Sequence, residues 1–209
     1  NQRQAALKWI LVTCFGYLGY KNARFGKVDA HIAVCAFARE ALLKTVRLAE
    51  ERGFEIVHGI VDSLWLKKEG ASPREYVELC KMVSNKIGVQ LNIEGRYRWV
   101  VFLPSRMHVE IPVLNRYFGV FESGKIKVRG IEAVRRDTPQ FIRKAQMDMI
   151  RILAKAPNSE AFRKKISESV EVLRDYVERL RKGDVDVRDL FIAKQLSMHP
   201  DSYFHDVFQ

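Results

Sequence analysis

The run FEIVHGIVDSLWLKK, residues 54–68, constrains the fold more than any other stretch of this 209-residue chain. Two β-rich segments, 54–58 and 61–66, stand on either side of a short connection made by Gly59 and Ile60. Segments joined so closely pair with each other antiparallel, so a hairpin is expected. One carboxylate, Asp62, falls at its tip, followed by Ser63 and then by Leu64, Trp65 and Leu66. An acid inside an apolar run is costly to desolvate unless a cation pairs with it. Asp62 therefore reads either as a solvated turn aspartate or as a carboxylate held for a cation.

Helical patterns flank the hairpin on both sides, which places the chain in the α+β class. Residues 2–14 read as a helix through Ala5, Ala6, Leu7, Ile10 and Leu11, with Arg3 and Lys8 between them. In the CFGYLGYKNARFG stretch that follows, Gly16, Gly19 and Gly26 punctuate an aromatic-rich turn. Such glycines either let a flat or phosphate-bearing ligand approach the backbone or mark a tight junction between helices. Asp29 is expected to cap the next helix, which runs to Arg52 and stops at Gly53. Its apolar positions Val34, Phe37, Ala38, Ala41, Leu42, Thr45 and Leu48 recur at helical spacing and predict a core face laid on a sheet.

Beyond the hairpin, Ser72-Pro73-Arg74-Glu75 combines a capping box with proline at the first helical position, opening a helix that ends at Gly88. Strands are expected at 90–93, 97–103, 109–113, 117–122 and 126–129, the last two joined by a turn at Ser123 and Gly124. From Asp137-Thr138-Pro139 onward the pattern is helical. Thr138 is expected to cap a helix to about Ala154, and Pro157-Asn158-Ser159 opens another that runs to Gly183. A domain boundary is expected near residue 131.

Thirty-six Lys and Arg against 25 Asp and Glu give a formal charge of +11 and a pI near 9.7. That balance favours a polyanionic partner, nucleic acid or an acidic membrane surface. No apolar run reaches the roughly 18 residues of a membrane span, since Lys8, Lys21 and Arg24 interrupt the most apolar region. Cys14, Cys35 and Cys80 are odd in number and contain no C-x-x-C pair, so a reducing compartment is expected and neither a disulfide framework nor a zinc site is. His199 and His205, in the HPDSYFH stretch, have no cysteine near them. The chain opens on Asn1 rather than Met, as expected of a fragment or a processed chain with partners in cis.

Taken in order, three motifs resemble the C-terminal half of a family-B DNA polymerase. The first is RQAALKWILVTCFGYLGY, residues 3–20, similar to the family's fingers motif, a Lys followed four residues later by Asn-Ser and then Tyr-Gly. Lys8 matches the lysine that grips the incoming triphosphate, and Arg3 and Gln4 the residues before it; Phe15 and Gly16 stand at the Tyr-Gly. Val12 and Thr13 replace Asn and Ser, and Phe15 keeps the ring without the hydroxyl. The second is HGIVDSLW, residues 58–65, in the place of Tyr-Gly-Asp-Thr-Asp-Ser. Gly59, Asp62 and Ser63 match; His58, Ile60 and Val61 depart, and Ile60 makes the tip apolar and the Asp62 charge costlier to hold. The third is NRYFGVFESGKIKVRGIEAVRRD, residues 115–137, similar to the palm-to-thumb segment. There Arg116, Tyr117, Arg129, Gly130, Arg135 and Arg136 match positions that follow the primer–template backbone, while Asn115 replaces a lysine. Several guanidiniums on one ribbon suit sequence-blind, salt-sensitive phosphate binding on physical grounds alone.

The resemblance implies an antiparallel palm sheet with packed helices, followed by an α-helical thumb. Residues 1–26 would be the end of the fingers, 27–130 the palm, and 131–209 the thumb, including a late Gln195-Leu196 segment. It implies two-metal nucleotidyl transfer with Mg²⁺, Asp62 holding metal and the second carboxylate ligand lying outside this chain. Expected partners are primer–template DNA, deoxynucleoside triphosphates and an N-terminal exonuclease and palm portion, in cis or as a separate chain, with no membrane. The chain by itself would bind DNA without extending it, in the cytoplasm at the nucleoid. The alternative is a catalytically degenerate, polymerase-derived DNA-binding or assembly subunit, which Val12 and Ile60 favour.

Overall fold

The computed structural model describes residues 2–193; the Gln195-Leu196 segment, His199 and His205 lie outside the described residues. The chain divides into two compact units, Asn1–Glu94 and Gly95–Gln209. The α+β class is what forms, with the strands divided between a two-stranded and a three-stranded antiparallel sheet.

In the first unit, α1 (Gln2–Gly19) runs past the expected end at residue 14 and through Gly16. A single interior glycine costs a helix only about 1 kcal/mol, and Phe15, Tyr17 and Leu18 continue it. The turn to α2 (Val28–Glu50) is closed by Gly26, where a Cβ would sit 2.3 Å from the Tyr20 carbonyl oxygen. Lys27, not Asp29, is the residue before α2, and no side chain caps it; Asp29 lies in the first turn, where its charge favours the positive end of the helix dipole. Only the C-terminal half of α2 reaches a core. Thr45 and Ala49 are buried, whereas Phe37 is 76% exposed and Val34 44%.

That core gathers Ala49, Phe54, Leu79 and Val83 from α2, the hairpin and α3 (Pro73–Ile87), with Leu48, Ile56, Leu66 and Tyr76 around them. The capping box forms as the sequence expects: Ser72 Oγ accepts from the Glu75 N–H, and Glu75 Oε2 accepts from the Ser72 N–H at 2.8 Å. Gly88 closes α3 in the left-handed region, at φ 71°. The strand expected at 90–93 does not form. The Leu91 N–H donates to Ser84 Oγ at 2.9 Å and its carbonyl accepts from Cys80 Sγ, so α3 side chains satisfy the backbone that a ladder would otherwise pair.

In the second unit, β3 (Tyr97–Pro104), β4 (Pro112–Phe121) and β5 (Ile126–Arg129) pair antiparallel in that order. The two strands expected at 109–113 and 117–122 are one strand, β4, and residues 109–111 belong to the loop before it. The Ile111 N–H there donates to the His108 carbonyl and the Ile111 carbonyl accepts from the Ser105 N–H, which closes that loop on itself. One face of the sheet carries Trp99, Phe118 and Val120 into a core with Ile131, Ala133, Ile150 and Leu153. Tyr97, Phe102, Tyr117 and Phe121 make an aromatic layer, with Tyr97 stacked on Phe121 at 4.2 Å between centroids and Phe102 5.3 Å from Tyr117.

Two α-helices of the unit follow the sheet, α4 (Gln140–Ala154) and α5 (Ser159–Lys182). Thr138 does not cap α4; Pro139 takes that place with no side-chain hydrogen bond, its carbonyl accepting from the Arg143 N–H. Asn158 does cap α5, its Oδ1 accepting from the Ala161 N–H at 2.9 Å, and Gly183 ends it at φ 73°. The indole N–H of Trp99 donates 3.0 Å to the buried Ala156 carbonyl, tying β3 to the junction between α4 and α5.

Candidate functional site

Three groups of residues singled out in the sequence are placed by these elements, two in the first unit and one in the second. In α1, Arg3 and Lys8 are exposed, and no residue of the helix is buried. At 3.6 residues per turn, Lys8, Val12 and Phe15 share a face, with Lys8 and Phe15 about 10 Å apart along the axis. Arg3 is rotated roughly 140° from Lys8, so the two do not converge by helix geometry alone. Phe15 is 39% exposed, and its ring stacks on His31 of α2 at 4.2 Å between centroids, while His31 Nδ1 lies 3.1 Å from the Phe15 carbonyl oxygen. The glycines separate into two kinds. A Cβ on Gly19 would meet the His31 ring at 3.1 Å, so Gly19 is a packing junction between helices. Gly16 has nothing within 4 Å of such a Cβ, so no contact inside the described chain requires it to be glycine.

The hairpin pairs β1 (Glu55–Ile60) with β2 (Ser63–Lys67), and Ile60 faces Ser63. The turn residues are therefore Val61 and Asp62, not Gly59 and Ile60, which belong to the strand. Asp62 stands at the tip as expected, exposed, with Ser63 Oγ donating to its Oδ1 at 3.3 Å. Ile60, its neighbour across Val61, is half-buried in the strand. Val61 holds φ 54° and is 83% exposed. A β-branched residue there is strained, and such strain is typical of functional turns. His58 is buried against Trp65, with 4.7 Å between ring centroids. Among the described residues no three His, Cys, Asp or Glu side chains lie together as a metal site would need. Asp62 offers one exposed carboxylate, and Mg²⁺ is commonly held through one or two carboxylates together with water and substrate phosphates.

In the second unit, Arg129, Arg135 and Arg136 are exposed at the end of β5 and in the segment beyond it. Of the other three ribbon residues, Gly130 is exposed, Arg116 is half-buried and Tyr117 is buried. Tyr117, paired with Arg129 across the ladder, is only 4% exposed and packs on Phe102. Gly130 holds φ 65°, and a Cβ on it would sit 2.1 Å from the Asn115 carbonyl oxygen; it is glycine because two backbones cross there. Arg116 turns inward. Its Nη2 donates to Glu132 Oε1 at 2.8 Å and its Nε to the Gly130 carbonyl at 3.3 Å. Arg135 makes a two-pronged pair with Asp137, at 3.0 and 2.6 Å, which raises the already high pKa of the guanidinium.

Glu132, which the sequence reading passed over, is the hub of this segment. Its Oε2 accepts from Gln146 of α4 at 3.1 Å, and that hydrogen bond, with its own backbone N–H and the Arg116 charge, holds its carboxyl below the usual 4.5. In R-G-I-E-A-V-R-R-D only Asp137 stands beside the arginine it pairs with, Arg135; the partner of Glu132, Arg116, lies sixteen residues earlier in the chain.

No helix among the described residues is long and apolar enough to cross a membrane. The sequence profile of DNA polymerase family B matches residues 1–207. Three curated relatives are similar over most of the chain. DNA polymerase 2 of Aeropyrum pernix is 31% identical over 203 residues, covering 97% of this chain and 23% of that protein. DNA polymerase 2 of Saccharolobus solfataricus is 33% identical over 186 residues, covering 89% of this chain and 27% of that protein. A DNA polymerase of Archaeoglobus fulgidus is 24% identical over 201 residues, with 96% and 24% covered. The chain thus spans about a quarter of the length of the curated relatives it matches. Three ordered motifs, an exposed hairpin-tip carboxylate and a match along nearly all of its length lead to one conclusion: the chain belongs to DNA polymerase family B.

Proposed function

We propose that this chain is the fingers-end, palm and thumb portion, residues 1–26, 27–130 and 131–209, of a DNA-directed DNA polymerase acting on primer–template DNA and deoxynucleoside triphosphates. The observation that carries the reading is Asp62, held exposed at the tip of a two-residue turn in the place of the family's palm motif. Asp62 contributes one carboxylate to a Mg²⁺ site whose other carboxylate lies in an N-terminal portion, in cis or as a separate chain. Bound divalent ions would polarise the reacting oxygens of nucleotidyl transfer. Alone, the chain lacks those ligands and does not extend a primer. A DNA substrate places this work at the nucleoid.

Lys8, with Arg3 nearby on the same helix, supplies positive charge for the triphosphate, and Phe15 supplies a ring edge beside it. Gly16 leaves the backbone bare next to that ring, which suits close approach of a ligand. Gly16→Ala separates ligand approach from packing. With open space at the Cβ, it is expected to stabilise α1 by about 0.5–1 kcal/mol and to raise the nucleotide KM of the assembled polymerase. A higher melting temperature with unchanged KM would remove Gly16 from the nucleotide site.

Arg129, Arg135 and Arg136 are the cations offered to the duplex, with Arg116 bracing the ribbon and Tyr117 and Gly130 shaping it. Duplex binding is tested by titrating labelled primer–template at several salt concentrations. Affinity is expected to show little sequence preference and to fall by about 0.9 log units per log unit of salt for each phosphate neutralised. Arg135→Ala with Arg136→Ala is expected to weaken binding and to lower that slope; an unchanged slope and affinity would overturn the ribbon as the grip. Val12 and Ile60 favour the second reading, a catalytically degenerate DNA-binding or assembly subunit, because each puts an aliphatic side chain where the family motif has a polar one. Nucleotide incorporation distinguishes the two.

A further inference from the structure

The segment from Gly130 to Asp137 carries Arg135 and Arg136, and it is pinned on both sides. Toward β4, Arg116 bridges the Gly130 carbonyl and Glu132 Oε1. Toward α4, Gln146 donates to Glu132 Oε2 and accepts from the Ala133 N–H, while Arg143 Nε donates to the Ala133 carbonyl at 3.3 Å. Between these anchors Ile131 and Ala133 are buried in the core, and the Arg135 N–H closes a single 3₁₀ turn on the Glu132 carbonyl at 3.2 Å. One side chain, that of Glu132, belongs to both anchors. It is 31% exposed and Arg116 is 26% exposed, which makes their contact less screened than a surface ion pair.

We propose that Glu132 is a positioning residue for duplex binding: through Arg116 and Gln146 it fixes the 130–137 segment between β4 and α4, and so fixes where Arg135 and Arg136 meet the phosphates. The inference rests on reading the ribbon as the duplex grip. Arg116 acts in it as a strut and not as a phosphate contact. An arginine suits that part, because its Nε and Nη2 donors are fixed in one rigid plane and reach the backbone carbonyl and the carboxylate in a single orientation.

The test uses the assembled polymerase and labelled primer–template, with melting temperatures recorded so that every titration is made well below unfolding. Glu132→Gln is expected to weaken duplex binding about tenfold, the size of one charge-assisted hydrogen bond. It is also expected to lower the salt slope, by about 0.9 for each misplaced arginine. Arg116→Lys keeps the charge and loses the fork, so it is expected to weaken binding similarly. The double variant should be no weaker than the worse single one, since both changes break the same strut. Should Glu132→Gln fail to fold, Arg116→Lys carries the same expectation by itself. Unchanged affinity and slope in the folded variants would reduce Glu132 to a stability residue and overturn the proposal. Tighter binding with a steeper slope would also overturn it, by making Glu132 a mask over Arg116. Arg135→Ala with Arg136→Ala serves as the reference. If that variant binds as wild type does, the grip reading itself fails; if it weakens and Glu132→Gln does not, only the positioning role fails.

Discussion

Asp62→Ala is expected to lower single-nucleotide incorporation by the assembled polymerase about a thousandfold or more, with duplex affinity unchanged. The geometry behind the asymmetry is simple. Asp62 is exposed at the tip of the β1–β2 turn, and among the described residues its one side-chain hydrogen bond comes from the neighbouring Ser63, so its removal costs the fold little. Loss of a charge aimed at the reacting centre, by contrast, typically costs about two to three orders of magnitude or more in turnover. In the proposed reading other residues grip the duplex, so the two readouts separate. Ile60→Asp, which restores the acid of the family motif, is expected to raise activity only modestly if Asp62 is, as proposed, the principal ligand. In the degenerate-subunit reading the assembled protein is inert with Asp62 intact, and incorporation appears only when Ile60→Asp is combined with Val12→Asn. Equal incorporation by wild type and Asp62→Ala, above a no-enzyme control, would remove Asp62 from the reaction.

Trp99→Ala is expected to be the most destabilising single change in the described chain. Trp99 is 6% exposed, meets Phe118 edge-on at 6.0 Å and Phe162 at 4.9 Å between centroids, and hydrogen-bonds the Ala156 carbonyl at 3.0 Å. Truncation leaves a cavity worth about 3–5 kcal/mol, and the Ala156 carbonyl, fully buried, loses its donor at a further cost of about 1–3 kcal/mol. A fall in melting temperature on the order of 10 °C or more follows for a protein of this size. Trp99→Phe isolates the hydrogen bond, keeping an aromatic ring and losing the N–H, and is expected to cost about 1–3 kcal/mol. Thermal unfolding of the two variants measures both quantities. A loss below about 1 kcal/mol in Trp99→Ala would mean that β3 and the junction between α4 and α5 are not held through this ring.

Glu132 and Arg116 show how far a motif can be read and where it stops. The R-G-x-E and R-R-D pieces mark a basic stretch of the chain, but a row of letters does not say which arginines face solvent. Arg116 is paired inward because β4 continues past the end of β5, which brings it opposite Gly130 and within reach of Glu132. Gln146, fourteen residues further on, completes the hub only because α4 packs back on that segment.

What the sequence by itself determined is whatever rests on neighbours in the chain. The capping box at Ser72, the asparagine cap at Asn158, the left-handed glycine stops at Gly88 and Gly183, and the hairpin with Asp62 at its tip are all settled within a few residues. So is the family, because its motifs are local and ordered. Tertiary structure decided the rest. Strand pairing moved the turn from Gly59 and Ile60 to Val61 and Asp62, since a ladder fixes register by which residues face each other, not by which are glycine. Side chains of α3 took the backbone of Leu91 away from any sheet, and one continuous ladder with β3 joined two expected strands into β4. Burial of Tyr117 and the inward turn of Arg116 likewise depend on partners far along the chain. Contacts of that range are set by packing, and packing is specified by the whole folded core rather than by any one stretch of it.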